Sequence, residues 1–322
     1  MQAASSSRED FARLSVAKGL MMSAGQVKSL TDDTALPWFE EADDPPVFEQ
    51  MAAKPNLGSG ASWVEGHADS TRWDFSKSGP HHRFTQTAEA ANSWRVTMTR
   101  HVAAYMMAPD RNGLWIADPR QLLALDKGLV QDELGNVRLD ATHPVIVYRF
   151  PTNNDNSRTL IATMLPAEGW LYSKGYVHGI SVPRGTKSSV LLALLGYLNS
   201  IPADWWARRF VDRHLGKRII EGLPLPEWTE THIHQVAVNV SELLRRGNGP
   251  AYSPGGNVQL LSRPQSFANK TNWELFAEID RLAIQGLGIA NAGLSTMLRD
   301  FSSRPAAVPA EYRRLFHGES QQ

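Results

Sequence analysis

The alternation of apolar and polar residues predicts strands in the middle of the chain. Residues 94–100 alternate as a strand with one buried face does. Residues 144–150 and 158–165 are two apolar runs on either side of a turn rich in Asn and Asp. We expect these runs to pair as a hairpin or a longer β-connection. Residues 177–182 are predicted to form a further strand.

Apolar residues at helical spacing predict helices on both sides of this β-rich part. A central helix begins at residues 188–197 and breaks or restarts around Pro202, since proline cannot continue a helix interior. Asn272 is the expected N-cap of a later helix. The other predicted helices cover residues 8–30, 203–213, 217–221, 233–245, 272–285 and 294–301.

These elements together predict an α+β fold. We divide the chain into three parts: residues 1–93, an N-terminal helix followed by an irregular lobe with short strands; residues 94–228, a β-rich core; and residues 229–322, a helical C-terminal region. No internal repeat of fixed period is visible.

The composition is that of a folded protein in a reducing compartment. Of 322 residues, 42% are hydrophobic and 9% aromatic, which is enough to bury substantial cores. No apolar run approaches the roughly 20 residues that span a bilayer, and the first residues lack the pattern of a signal peptide. The chain has no cysteine, which excludes disulfides and thiolate metal sites. We expect a cytoplasmic protein without a membrane partner.

The formal net charge of zero conceals a separation of charge along the chain. Residues 149–226 hold ten basic and five acidic residues, a net charge of +5. Residues 227–322 balance, so residues 1–148 carry −5. This distribution favours one face that meets a polyanion and another that avoids it, although a mixed surface can also produce it by chance.

The densest group of cations follows the central apolar helix. It comprises Arg208, Arg209, Arg213, His214, Lys217 and Arg218. Such a group indicates a polyanionic partner, because Arg and Lys bind phosphates whatever the base sequence. Arg208 lies two residues after the Trp205-Trp206 pair, so we expect it to pack on an aromatic ring as part of the scaffold. Arg213 and Lys217 would share one face if the helix continued past Gly216.

Short motifs that are similar to enzyme loops lack the context their chemistry requires. Residues 44–47, Asp-Pro-Pro-Val, differ by one residue from the loop with which amino-methyltransferases hold a flipped base, but they follow an acidic segment instead of an apolar strand. Residues 55–60 are similar to a cofactor-binding glycine turn, but they do not connect a strand to a helix. No lysine follows an acidic residue at the two-residue spacing of restriction-type nucleases. The histidine pairs 81–82 and 232/234 are weak candidates for a metal site, because neither cysteines nor a matching carboxylate spacing accompany them. We expect no catalytic residue, metal or cofactor.

A series of motifs resembles those of fused adenine methylases, which occur as type IIG restriction-modification enzymes and in phage-defence systems such as BREX and DISARM. The family shares Pro-x-Leu-Gly and Trp, then Asn-x-Arg-Thr, Leu-Asn-Ser, an aromatic stretch with Ala-Arg, and Leu-Pro-x-Pro. The matching positions are residues 55–58, Trp63, and residues 156–159, 197–200, 205–208, 223–226, 278–280 and 287–288. They follow the family's order from about residue 45 to residue 316.

The resemblance implies the target-recognition half of such an enzyme, with the methyltransferase half missing. The β-rich part would then be a DNA-recognition core. The chain departs from the family where Asp212-Arg213-His214 replaces a Gly-Gly-Thr-His loop, so a backbone contact to phosphate is not carried over there. The match of Arg158 and Thr159 to a family-wide motif favours a scaffold role for both.

We therefore predict a sequence-specific subunit that binds double-stranded DNA and works with a separate adenine methyltransferase, nuclease or other defence-system subunit. Phosphate contacts are expected from one set of side chains, Arg209, Arg213, Lys217 and Arg218. The loops around residues 153–156 and 174–178 are expected to contact bases. The full set of candidates also holds Arg149, Asn153, Asn154, Lys174, His178 and His214. Two alternatives remain, a scaffold subunit that does not read DNA and a degenerate methyltransferase.

Overall fold

The fold mixes helices and strands, as the α+β prediction requires. The computed structural model describes residues 37–39, 41–60, 63–69, 73–108, 113–125, 129–140, 145–152, 156–211, 214–301 and 308–317. The predicted helix at residues 8–30 lies outside these residues. No helix in the part of the chain that the structure describes is long and apolar enough to cross a membrane.

Strands dominate the first half of the described chain and helices the second. The strands are β1 (His67–Asp69), β2 (Thr85–Gln86), β3 (Trp94–Thr97), β4 (Val102–Ala103), β5 (Met106–Met107), β6 (Trp115–Ile116), β7 (Leu129–Gln131), β8 (Val137–Leu139), β9 (Ile146–Arg149), β10 (Ala162–Met164), β11 (Trp170–Tyr172) and β12 (Val177–Ser181). The helices are α1 (Asp44–Ala52), α2 (Ser188–Leu198), α3 (Ile201–Arg208), α4 (Lys217–Glu221), α5 (Glu230–Asn248), α6 (Asn272–Leu287), α7 (Asn291–Asp300) and α8 (Ala310–His317).

The strands form two four-stranded sheets and two short hairpins. The first sheet has the order β1-β12-β9-β10 and is antiparallel throughout. The pairing of β9 with β10 confirms the β-connection predicted across the Asn-rich turn. The second sheet has the order β11-β3-β6-β2, with β11 parallel to β3. β4 pairs with β5, and β7 with β8.

The first sheet separates two hydrophobic cores. Successive strand residues point to opposite faces. Ile146 and Tyr148 of β9 accordingly enter the core shared with the helices, whereas Val147 enters the core of the second sheet. Because both faces of β9 are covered, its sequence is a continuous apolar run instead of an alternating one. The helical core takes residues from all three predicted parts of the chain.

The junction between α2 and α3 follows its local sequence. Ser200 caps α3 by accepting a hydrogen bond from the backbone N–H of Ala203, and Pro202 lies in the first turn, where proline has no hydrogen bond to lose. The predicted break near Pro202 is therefore confirmed. The predicted helix at residues 203–213 is shorter than expected, since α3 ends at Arg208.

One local prediction was wrong and two helices were missed. The N-cap of α6 is Thr271, not Asn272, because Thr271 and Glu274 form a reciprocal capping box. α1 lies within the lobe predicted to be irregular, and it buries Phe48 in a stack on Trp206 with ring centroids 4.1 Å apart. Helix α8 carries no prediction in the sequence analysis.

Candidate nucleic-acid interface

The two arginines at the end of α3 are buried. Arg208 donates from Nε to Asp204 Oδ2 at 3.1 Å and from Nη2 to the carbonyls of Asn156 and Ser157, each at 2.9 Å. Its guanidinium lies 4.7 Å from the centroid of the Phe301 ring. The predicted scaffold role of Arg208 is confirmed, and Phe301 is an aromatic partner that its sequence neighbours did not indicate.

Arg209 was predicted to contact phosphate, but its side chain is buried inside the fold. Its side chain is 3% exposed and forms ion pairs with Asp44, at 3.1 Å, and with Asp300. The guanidinium also lies 4.3 Å from the Trp205 ring centroid. Paired buried charges satisfy one another and are shielded from solvent. Arg209 therefore ties α1 and α7 to α3 and does not face a ligand.

The motifs of the methylase resemblance pair with one another inside the fold. The segment at residues 55–58 runs antiparallel to the Leu-Pro-Leu-Pro segment, with Leu57 N donating to Leu223 O at 3.0 Å and Leu225 N to Pro55 O at 2.8 Å. Trp63 Nε1 donates to Pro226 O at 2.8 Å. A Cβ on Gly58 would lie 2.8 Å from Glu221 Cβ, so glycine is needed there for close approach of two segments.

Polar side chains of the same motifs bind the backbone of the sheet. Asn199 donates to and accepts from the peptide groups of Ala162, each at 3.0 Å. Asp204 Oδ1 accepts from Thr159 N at 2.7 Å and from Leu160 N at 2.6 Å. These buried hydrogen bonds place Asn199, Asp204 and Thr159 in the scaffold. The motif residues hold the fold together, and candidate contacts with a ligand lie elsewhere.

The cations beyond α3 lie at the surface. Lys217 and Arg218 open α4, which packs against β1, and the Lys217 side chain is 65% exposed. Lys217 Nζ lies 3.5 Å from Glu221 Oε1, which also accepts from His67 Nδ1 at 3.2 Å. Gly216 is the N-cap of α4, so Lys217 begins a new helix instead of continuing the preceding one. Arg213, the other predicted phosphate contact, lies outside the described residues.

Three aromatic rings pack together where β9 ends and β12 begins. The rings of Phe150 and His178 are nearly parallel, with an interplanar angle of 11° and centroids 3.7 Å apart. His214 lies 4.8 Å from Phe150 at 31° and is exposed. We call these three residues the ring stack. The backbone holds the segments together, because Leu215 N donates to Phe150 O at 3.0 Å and Pro151 bridges His214.

Two further predicted residues lie at the ring stack. Burial lowers the pKa of His178 to about 4, with His214 and Lys174 acting in the same direction and Asp69 opposing them. His178 is therefore neutral at pH 7, and it can stack and form hydrogen bonds but cannot neutralise a phosphate. Lys174 is exposed in the turn before β12. The structure thus brings together Lys174, His178 and His214, which are separated in the sequence.

The remaining predicted residues are placed less favourably or are not described. Arg149 is half-buried and donates from Nε to Val102 O at 2.7 Å, and burial lowers the pKa of its guanidinium. Its contact with DNA stays a prediction. Asn153 and Asn154 lie outside the described residues. Among the residues that the structure describes, no group of three or more His, Asp or Glu side chains could hold a metal ion.

Phe150, the central ring of the ring stack, was not predicted as a site residue. Its position at the end of an apolar run suggests only a strand terminus. The contact with His178 depends on the register that pairs Val177 with Arg149 and His178 with Tyr148, which no local signal reveals.

Asp44 belongs to the motif that is similar to a methyltransferase loop, and here it is structural. It lies in the first turn of α1, is fully buried, and binds Arg209 and Arg299 at 3.1 Å each. The Asp44 carboxylate therefore serves in two ion pairs inside the fold.

No model of a known protein family matches the sequence, and neither does any curated protein. Among solved structures, the chain is similar to the Type IIL restriction-modification enzyme MmeI in complex with DNA, with a TM-score of 0.38 and 11% sequence identity. The match covers 76% of this chain and 36% of that chain, so this chain corresponds to about a third of that enzyme's length. At this TM-score the likeness establishes neither a shared fold nor a function.

Proposed function

We propose that this chain is a DNA-recognition subunit of a restriction-modification or phage-defence system, acting with a separate methyltransferase or nuclease. It would contribute no catalytic residue of its own. The observation that carries the proposal is that the cations between residues 208 and 218 fall into a buried group and an exposed group. The motif residues and the arginines of α3 form an internal scaffold, whereas His214 of the ring stack, Lys217 and Arg218 are exposed at the surface.

In this function, the exposed cations contact the DNA backbone. Lys174, Lys217 and Arg218 supply positive charge that neutralises phosphates and releases counterions. Such contacts position the protein on the duplex without reading its sequence. Base contacts would come from the side chains next to the ring stack, where neutral His178 offers one donor and one acceptor.

The test is a titration of the chain against random duplex DNA at several salt concentrations. We expect binding that weakens steeply with salt, and a double variant, Lys217→Ala with Arg218→Ala, that reduces the log–log salt slope by about two. The matched control is Arg184→Ala with Lys187→Ala, two exposed cations at the other end of β12, which should leave the slope unchanged. An unaltered slope in the Lys217/Arg218 variant would reject these phosphate contacts.

A scaffold subunit that does not read DNA is the second candidate. Its support is the carboxylate cluster beside α4, because Glu221 binds Lys217 and His67, and Glu65 also lies 3.2 Å from His67. These carboxylates reduce the charge available to a phosphate. The same titration separates the two candidates, since a scaffold shows no salt-dependent binding to duplex. Calorimetry with S-adenosylmethionine tests the third alternative, a degenerate methyltransferase, and we expect no heat of binding.

A further inference from the structure

We propose that the ring stack of Phe150, His178 and His214 is a platform on which an unpaired nucleobase stacks. Phe150 contacts both histidines, and no ring contact joins the histidines to each other among the described residues. The two histidines therefore lie on opposite faces of Phe150. His214 is exposed, so its outer face is open to a planar ligand.

The exposed ring is held in place by buried neighbours. Leu215 is fully buried and its N–H donates to the carbonyl of Phe150 at 3.0 Å, while the bridge between Pro151 and His214 joins the two segments. On the inner side, His178 packs at 3.7 Å on Phe150 and is 8% exposed. A preorganised ring loses little conformational freedom when a ligand binds, which favours stacking on it.

The inner side of the platform is closed by buried rings. The Tyr148 ring is fully buried and meets His178 edge to face, with centroids 5.9 Å apart. His178 is itself buried, so the ring that the platform offers to a ligand is that of His214.

The charges around the ring stack suit a nucleotide. Lys174, exposed in the turn before β12, is a positive charge near His178, and Asp69 is the opposing carboxylate. The ammonium group of Lys174 can attract the phosphates of a nucleotide bound at this surface. A flat ring at the surface also favours nucleotides whose base is unpaired. A paired base offers its edges in a groove, and only a base that has left the helical stack can offer its face.

This inference rests on the proposed DNA-binding function and adds a preference for one DNA structure. The experiment compares two oligonucleotides of one sequence, a fully paired duplex and the same duplex with one unpaired adenine. Anisotropy titrations should show about tenfold tighter binding of the duplex with the unpaired base, the order of magnitude of one base–aromatic stack. A 2-aminopurine at the unpaired position should lose fluorescence on binding.

Substitutions at His214 identify the ring responsible. His214→Ala should make the affinities for the two duplexes equal and so abolish the preference, whereas His214→Phe, which keeps a flat ring, should retain it. His234→Ala, at an exposed histidine of α5, is the matched control. Because the His214 side chain is exposed, the alanine variant should keep the wild-type melting temperature, which verifies that it folds.

The possible outcomes separate this inference from the function on which it rests. Salt-dependent binding of both duplexes with equal affinity would overturn the platform and leave the DNA-binding proposal standing. A preference that survives in His214→Ala would also overturn it. Absence of binding to either duplex would overturn both proposals.

Discussion

The basic segment between residues 208 and 218 contains two kinds of cation whose surroundings are opposite. Arg209 is 3% exposed, forms ion pairs with two aspartates and lies on an indole ring. Lys217 is 65% exposed and lies 3.5 Å from one carboxylate. Both residues looked equivalent as candidate phosphate contacts. Their difference shows that a cluster of cations in a sequence mixes residues that build the fold with residues that can meet a ligand.

Removing the buried cation should have the largest effect. Arg209→Ala leaves the carboxylates of Asp44 and Asp300 buried without this partner, so we expect a loss of about 3–5 kcal/mol in the free energy of unfolding. Urea denaturation followed by tryptophan fluorescence measures it. Arg299→Ala is the matched control, because Arg299 also binds Asp44 but is 40% exposed, and it should cost at most about 1 kcal/mol. Equal losses in both variants would contradict the contrast between buried and exposed pairs.

The buried carboxylate of Asp280 should make the free energy of unfolding depend on pH. The carboxylate accepts hydrogen bonds from Ile201 N, at 2.7 Å, and from the Tyr312 hydroxyl, and burial raises its pKa to about 6. In the unfolded chain the pKa of an aspartate is about 4. Between these values the folded protein retains a proton that the unfolded chain has lost. The free energy of unfolding should therefore fall as pH rises from about 4 to about 6, by on the order of 2–3 kcal/mol, and change little from this group above that range.

The variant Asp280→Asn isolates this contribution, because an amide does not titrate. Its stability relative to the wild type should rise across the same pH window, measured by urea denaturation at a series of pH values. Asp43 is a control of opposite sign. A hydrogen bond from Arg299 lowers its pKa to about 2, so its stabilising contribution is lost only as pH falls below about 4. A constant difference between Asp280→Asn and the wild type from pH 4 to pH 6 would contradict the prediction.

The smallest effect on stability should come from the exposed cations. Lys217→Ala with Arg218→Ala should change the free energy of unfolding by less than about 0.5 kcal/mol, because exposed ion pairs contribute little. The same double variant is expected to alter the salt dependence of DNA binding. A variant that loses affinity and keeps its stability would show that the two kinds of cation have different roles. A large loss of stability would place α4 in the scaffold with Arg209.

Much of the secondary structure was predictable because it depends on neighbours in the sequence. The helices at residues 188–198 and 217–221 begin and end close to their predicted bounds, and the strand at residues 177–181 matches the prediction to within one residue. Apolar spacing, proline and glycine act within a few positions, which is the range over which a sequence pattern can be interpreted. The wrong prediction of Asn272 as an N-cap also concerns neighbouring residues only, because Thr271 with Glu274 makes the stronger cap.

The candidate site was predictable only in part. Lys174 and His178 were predicted from their loop and His214 from the cation cluster, but nothing in the sequence indicated that the two histidines meet at one ring. Phe150 was missed because its role depends on the pairing of β9 with β12 and on a backbone contact with Leu215. The assignment of Arg209 to the surface failed because its partners, Asp44 and Asp300, lie far away in the chain.

Local sequence accounts for most of the helices and strands, for the apolar character of the central strand and helix, and for the concentration of positive charge between residues 149 and 226. These properties arise from residues close together in the chain. The packing of the fold sets which cations are buried, how the motif segments pair, and which rings form the ring stack. Burial and pairing depend on contacts between separate segments, such as that of Arg209 with Asp44, 165 residues away. The sequence specifies the chemical character of each side chain, whereas the packing of the whole fold sets its accessibility to a ligand.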